Sequence, residues 1–330
     1  MDVLSPPPAP FVARRPGSID APVARPRSSD FGPLAALVAD PRVTDVFVNG
    51  SGPVWVDRGT GLEPHPSLRF EEEEARDLAV RLVALGGRHI DEATPCVDTR
   101  LHDGIRVHAV LPPISPRGTL LSVRMPSAQP LSLAELDGAG FFGAVPLATV
   151  EGLVQARRNL LITGAGGSGK TTLLSALLGA AEGTERIVAI EDVAELRPQH
   201  PHFVSLEARQ ANLEGAGGLG LARLLREALR MRPDRLVLGE CRGAEIRELL
   251  GALNTGHDGG AGTLHANSLE DVPARLEALG ALADLSPTAI ARQAVSAIGA
   301  VLHVERVGGV RRLAQLGTFE LDGRDRLRIA

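Results

Sequence analysis

Tyrosine is absent from this 330-residue chain, tryptophan occurs once, and aromatic residues make up 3% of it. Platforms on which successive bases of single-stranded nucleic acid could stack are correspondingly hard to build. Cysteine occurs only as Cys96 and Cys241. The two lie far apart and form no CxxC pair, which leaves no thiolate zinc site and fits a reducing compartment. There is no run of 18 apolar residues and no basic-then-apolar leader, so the chain is expected to be soluble while able to dock on a membrane protein. A net charge of −5 argues against a chain built mainly to coat nucleic acid. Lysine is the scarcest charged residue of all: Lys170 stands alone against 34 arginines.

That lysine lies in Gly164-Ala165-Gly166-Gly167-Ser168-Gly169-Lys170-Thr171-Thr172, which fits the Gly-x-x-x-x-Gly-Lys-Thr pattern of a phosphate-binding loop. The glycines Gly164, Gly166, Gly167 and Gly169, with Ser168, let backbone N–H groups curl around a β-phosphate. The following helix points its positive end at the same anion. Lys170 reaches the β- and γ-phosphates as a compact point charge, and the Thr171 hydroxyl ligates Mg²⁺, with Thr172 beside it. Arginine is too broad and planar to replace lysine in so tight a loop. The flanks agree: 159–163 reads as a short buried strand and 171–181 as a helix. ATP and Mg²⁺ are therefore the expected ligands.

At 330 residues with 44% apolar content, the chain can hold two cores. Residues 1–30 carry seven prolines and little apolar content, and read as a disordered tail rich in Pro and Arg. Residues 31–124 read as a smaller N-terminal α+β domain. It comprises a short helix at 34–38, strands at 44–49 and 53–57 around an Asn49-Gly50 turn, an amphipathic helix at 71–85, and strands at 105–111 and 119–124. Residues 125–145, with two prolines and three glycines, read as a linker with a short helical piece. Residues 146–330 alternate strands (160–163, 186–190, 235–238, 261–264) with helices (171–181, 219–231, 243–253, 269–279), which implies a doubly wound α/β core.

Further clusters surround the loop's chemistry. The apolar stretch 186–190 ends in Glu191, Asp192 and Glu195. Ligands of an open α/β sheet bind beyond the carboxyl ends of its strands, so Glu195 first and Glu191 second are candidates to orient or deprotonate an attacking water. A second apolar strand ends in Glu240, placed to hold a Mg²⁺ water as a catalytic and metal residue. His265 follows a third strand and suits a polar sensor facing the nucleotide. It and His257 lack an evident third ligand for a metal pair. Arg100, Arg106 and Arg124 matter only if the first domain closes over the nucleotide and neutralises transition-state charge.

Taken together, these stretches resemble one family, the secretion ATPases of type II and type IV systems, in particular the CpaF-like ATPases of tight-adherence (Flp, or Tad) pili and their actinobacterial members. The matching segments are TDVFVNGSGPVWVD, VDTRLHDGIRVHAVLPPI, LLSVR, NLLITGAGGSGKTTLLSALL, RIVAIEDVAEL, LEARQANLEG and the long run from Ala228 to Ser268. The resemblance implies an N-terminal α+β domain, a RecA-like P-loop NTPase domain, and a homohexamer that hydrolyses Mg-ATP to power pilus assembly or protein secretion. It implies a cytoplasmic location, peripheral at the inner face of the membrane, and a polytopic inner-membrane platform protein as partner, with no nucleic acid. It also implies that Glu195 is the catalytic glutamate, that the segment of His265 is the family's histidine box, and that Arg106 and Arg124 reach the phosphates. Arg209, Arg230, Arg232 and Arg242 fall in matched segments with roles left open. The four-cysteine zinc module of type II members is missing, as is the long N-terminal extension of pilus-extension members, and both departures favour the shorter branch. The rival readings are a RecA-like nucleic-acid translocating motor and a nucleotide-gated scaffold with little turnover.

Overall fold

A computed structural model describes residues 28–59, 61–101, 104–125, 130–209 and 217–330. The expected tail up to residue 27, and the matched stretch beyond Arg209 up to residue 216, lie outside the described residues.

A 3₁₀ turn (Ser28–Leu34) runs into α1 (Ala35–Ala39), followed by β1 (Asp45–Asn49), β2 (Pro53–Asp57), β3 (Leu62–Arg69), α2 (Glu72–Leu85), β4 (Cys96–Arg100), β5 (Arg106–Val110) and β6 (Leu120–Arg124). The six strands form one sheet in the order β3-β2-β1-β6-β5-β4, with every neighbouring pair antiparallel. Alternation sends Val46, Val48, Val54, Val56, Val107 and Ala109 into a core against Leu78, Leu82 and Val83 of α2. A reciprocal capping box between Glu71 and Glu74 starts α2. The β1–β2 turn needs Gly50 twice over: its φ is +66°, and a Cβ there would lie 2.1 Å from the Arg117 carbonyl oxygen.

The second half contains α3 (Leu133–Gly138), α4 (Leu147–Gln155), β7 (Leu160–Gly164), α5 (Lys170–Gly179), β8 (Ile187–Glu191), β9 (Phe203–Glu207), α6 (Leu221–Ala228), β10 (Arg235–Cys241), α7 (Ile246–Leu253), β11 (Ala261–His265), α8 (Val272–Leu282), α9 (Pro287–Ala297), β12 (Ala300–Val307), β13 (Val310–Gly317), β14 (Phe319–Leu321) and β15 (Leu327–Ile329). Its seven-stranded sheet has the order β13-β12-β7-β11-β10-β8-β9, parallel except for the β12–β13 hairpin. Helices cover both faces. Leu161, Val188, Ile190, Leu236 and Leu238 pack towards α6–α9. Leu160, Ile162, Ile187, Ala189 and Val237 pack towards α3–α5. Burial on both sides is why these strands read as continuous apolar runs.

The four strands expected from those runs are the contiguous centre of the sheet, β7-β11-β10-β8. Expectation missed β9, β12 and β13 on its flanks and β3 and β4 of the first sheet. The outermost strands β9 and β13 are partly solvated, and β13 mixes buried Leu313 and Gly317 with exposed residues, whereas β12 is buried over its first five residues with polar His303 among them. The prolines of β3 suit an edge strand. In its described part the expected linker holds its short helical piece as α3 and packs onto the second half. A Ser132–Glu135 capping box starts α3, and Leu133, Leu136, Phe141, Phe142 and Val145 are buried in the core that contains β7 and α5. Among the described residues, no helix is long and apolar enough to cross a membrane.

Candidate functional site

Parallel pairing brings the carboxyl ends of β7, β8, β10 and β11 to one rim. His265 pairs with Gly164, and Leu238 with both Ile190 and Gly262. The β7–α5 loop emerges there. Gly164, Gly167 and Gly169 have φ of +148°, +71° and +106°, a region open to glycine and strained for other residues. A Cβ on Gly164 would lie 2.2 Å from the Val304 carbonyl oxygen and 2.6 Å from Ser168 Oγ, so the loop root is sealed against β12. No side chain caps the N-terminus of α5, which leaves its first N–H groups for an anion. Ser168 is buried, and its Oγ has no hydrogen-bond partner among the described residues.

Lys170 is buried on the first turn of α5. Its Nζ donates to the carbonyls of Gly164 and Ala165, each at 2.9 Å, and lies 3.3 Å from His265 Nδ1. Burial lowers its pKa, opposed by the charge of Glu240. Glu240 sits where the β10–β11 register shifts between Leu238 and Cys241, a bulge that aims its carboxylate across the rim. Arg242 donates to its Oε2 at 2.7 Å, and His265 Nε2 lies 2.8 Å from its Oε1. The latter approach lacks hydrogen-bond alignment, so Oε1 is an unsatisfied buried acceptor. Burial pushes the Glu240 carboxyl up, but the Arg242 hydrogen bond and the charges of His265, Arg242 and Lys170 outweigh it and bring the pKa below the ordinary value. His265 is shifted down, by burial first and then by Lys170. With Nδ1 accepting from the ammonium, the network assigns its proton to Nε2, facing Glu240.

The two candidate glutamates after β8 do different things. Glu191 is buried, and its Oε1 accepts from the backbone N–H groups of Glu195 (3.0 Å) and Leu196 (3.1 Å). Burial pushes its pKa up to about 7 against those two bonds. Glu195, held at the end of that turn, is part-exposed and meets Arg106 Nη1 at 2.8 Å. Arg106 extends from β5, in the other sheet, and also faces Asp98 at 3.4 Å. Burial alone would lower the Arg106 pKa; the Glu195 and Asp98 carboxylates outweigh it and raise it.

These groups line one cavity of 480 Å³ between the two halves, which holds Arg106 and Arg124 on one side and Gly166, Gly167, Gly169, Lys170, Thr171, Thr172, Glu195, Glu240 and His265 on the other. A small adjoining hollow is lined by Thr171, Glu191, Asp192, Glu195 and Glu240, among others. Arg124 pairs with Asp45 at 3.2 Å. Outside the cavity, Arg100 pairs with Glu207, Arg230 with Glu227, and Arg209 bridges Leu219. His257 Nδ1 bonds the Ala252 carbonyl, and no group of three metal-ligating residues occurs among the described residues. Sequence reasoning left Arg242 without a role and overlooked Arg197 and Arg311, which also line the cavity. Arg311 lies 141 positions past Lys170 in no recognisable motif.

The residues fit a magnesium-bound nucleoside triphosphate. An uncapped helix end and an orphaned Ser168 hydroxyl suit phosphate oxygens. Thr171 and the unsatisfied Glu240 oxygen supply the hard oxygen donors that Mg²⁺ prefers.

Comparison with known proteins bears on this geometry. A family model described as type II/IV secretion system protein matches residues 27–306. A Mycobacterium tuberculosis (strain H37Rv) protein, provisionally named a conjugal transfer protein, is 48% identical over 302 residues, covering 89% of this chain and 86% of its own. The type IV secretion system protein VirB11 of Brucella suis is 31% identical over 263 residues, covering 72% and 73%. Among solved structures, the ATPase DotB of Legionella pneumophila matches with a TM-score of 0.55 at 20% identity, covering 96% of this chain and 81% of its own. The pilus retraction motor PilT with bound ADP matches with a TM-score of 0.58 at 21% identity, covering 83% and 78%. These two likenesses establish the fold, an α/β RecA-like domain preceded by a smaller N-terminal domain.

Proposed function

The chain belongs to the type II/IV secretion system protein family, and from that premise we propose that it hydrolyses Mg-ATP to drive pilus assembly or protein secretion. The observation that carries the reading is the cavity itself, where the sole lysine of the chain and an uncapped helix end face two arginines from the opposite sheet.

In this reading, the N–H groups of 166–171 bind the β-phosphate, and Lys170 exchanges its contacts with the Gly164 and Ala165 carbonyls for phosphate oxygens. Thr171 and Glu240 would hold Mg²⁺, which neutralises phosphate charge when bound. Arg242 keeps Glu240 oriented, and His265 offers Lys170 a neutral acceptor at Nδ1. Glu195 orients the attacking water, while Glu191 holds the turn that presents it. Arg106 and Arg124 meet charge developing at the γ-phosphate, so Arg106 must leave Glu195 as the two halves close. We place the hinge N-terminal to Ser132, because α3 already packs with the ATPase core.

The finer assignment is to the CpaF-like, tight-adherence branch, acting as a hexamer at the inner face of the cytoplasmic membrane on a polytopic platform protein. It rests on the residue pattern of 44–268 and the two-half architecture. The domain division 31–124 and 146–330 belongs to the same proposal. Scarce aromatics and a net negative charge weigh against a nucleic-acid motor.

Turnover by wild type, Lys170→Ala and Glu195→Gln tests the reading. Wild type should release phosphate steadily and both variants should fall by about two orders of magnitude or more. A wild type no faster than the variants leaves only a binding module. Stimulation by nucleic acid rather than by a membrane partner favours the rival motor.

A further inference from the structure

We infer that Arg311, on β13, contacts the α/β-phosphates of the bound nucleotide; the inference rests on the nucleotide reading of the same cavity. The cations lining that cavity differ in how they are matched. Arg106 faces Glu195 and Asp98, Arg124 faces Asp45, and Arg242 faces Glu240. Arg311 has no carboxylate at ion-pair distance among the described residues. Its one recorded partner is a neutral carbonyl, that of Gly167, to which Nε donates at 3.0 Å. Lys170 shares this property: its Nζ meets two carbonyls and a histidine ring, with no carboxylate at ion-pair distance among the described residues. Among the described residues, the phosphate loop therefore carries two cations with no carboxylate at ion-pair distance.

Position selects the part of the ligand. The arginine lies along the loop, with its Cδ 3.2 Å from where a Cβ on Gly169 would be. The backbone of such a loop cradles the α- and β-phosphates, whereas the γ-phosphate end is marked by the metal-holding acid and the water-orienting acid. Arg311 touches the former stretch and, among the described residues, makes no hydrogen bond or ion pair with Glu195 or Glu240. Its Nε is spent on Gly167, and its two terminal nitrogens have no hydrogen-bond partner among the described residues. A guanidinium presents five N–H donors in a fixed fork, so two nitrogens remain for phosphate oxygens.

The support is rigid. The Leu313 N–H donates to the Phe141 carbonyl at 2.8 Å, and Leu313 is fully buried. The partner strand β12 abuts Gly164 through Val304. Strand β13 thus delivers Arg311 to the loop from the far edge of the sheet.

The test uses the full chain with Arg311→Gln and Arg311→Lys, and measures binding of ATP, ADP and inorganic pyrophosphate, steady-state turnover, and melting without ligand. Losing charge-assisted hydrogen bonds should weaken all three ligands by about tenfold or more. KM for ATP should rise to match while kcat stays within about threefold, the ligand-free melting temperature should hold, and Lys should restore part of the affinity. Unchanged affinity in Arg311→Gln, with wild type binding normally, overturns the assignment. So does weakened ADP with unchanged pyrophosphate, which moves the contact to the nucleoside, and so does a lowered ligand-free melting temperature that accounts for the loss. A wild type that binds none of the three overturns the nucleotide reading as well.

Discussion

Arg106→Gln separates catalysis from scaffolding, because the structure makes the two costs unequal. The guanidinium meets Glu195 at 2.8 Å and Asp98 at 3.4 Å, but the Glu195 side chain is 40% exposed. Solvent screening holds such a pair to about 1 kcal/mol or less of fold stability. In a chain of this size that amounts to a melting shift of about 4 °C or less. If the same group instead stabilises charge developing on the transferred phosphate, its loss should cost roughly 3–4 kcal/mol of barrier, a fall in kcat of about 10²–10³. Glutamine keeps a polar donor and most of the volume, so packing is nearly preserved. The measurements are phosphate release at saturating ATP and a melting curve on the same preparation. A variant within about threefold of wild-type kcat refutes the assignment of Arg106 to the transition state. A melting loss well beyond 4 °C refutes the claim that the pair is structurally minor.

Other outcomes follow from the same geometry. Glu191 titrates at about 7 in the folded chain against an ordinary 4.5, so the stability it lends when protonated is complete below pH 4.5 and is lost as pH rises through 7. Glu191→Gln should therefore match wild type near pH 4.5 and exceed it by about 3 kcal/mol at pH 8 in urea unfolding; a constant difference across pH contradicts the buried-carboxyl account. The turnover of Glu191→Gln should stay above that of Glu195→Gln, and the reverse order would exchange their roles. Gly164→Ala drives a methyl to 2.2 Å from the Val304 carbonyl oxygen. It should cost about 1–3 kcal/mol and weaken ATP binding, and equal stability would show that β12 yields to the added methyl. At the opposite end of the strands, Glu185 bonds Arg235 at 2.6 Å and also pairs with Arg157, and both Glu185 and Arg235 are buried. Glu185→Gln should destabilise by about 3–5 kcal/mol with ATP affinity unaffected, since it strands guanidinium charge far from the site; a neutral change in urea unfolding would mean that water reaches the pair.

Legibility in the sequence tracked burial and local chemistry. Strands β7, β8, β10 and β11 are buried on both faces, so each announced itself as an apolar run. The flanking β9 and β13 are half solvated and carry mixed residues, leaving no periodicity to read. The Asn49-Gly50 turn was visible because turn chemistry is local. The short helix inside the expected linker was legible, but its prolines and glycines masked the packing of this stretch, and only the burial of Leu133, Phe141 and Phe142 reveals that it joins the core of the second sheet. Among site residues, the loop of Lys170 was legible because phosphate binding demands a contiguous spacing. Arg311 was invisible, since one arginine among 34 on an edge hairpin has no local mark.

Lys170, its glycines and hydroxyls, and the acids at strand ends were thus determined by the chain alone, for a physical reason: a helix end and a tight loop are made of residues adjacent in sequence. Tertiary structure decided everything that depends on distance in space. It set Glu191 onto the backbone and Glu195 against Arg106, turned His265 between Lys170 and Glu240, and brought β13 back beside β12 so that Arg311 meets Gly167. Those pairings are fixed by strand order, by a register shift and by packing between two sheets, and these long-range contacts leave no signature in any short stretch of residues.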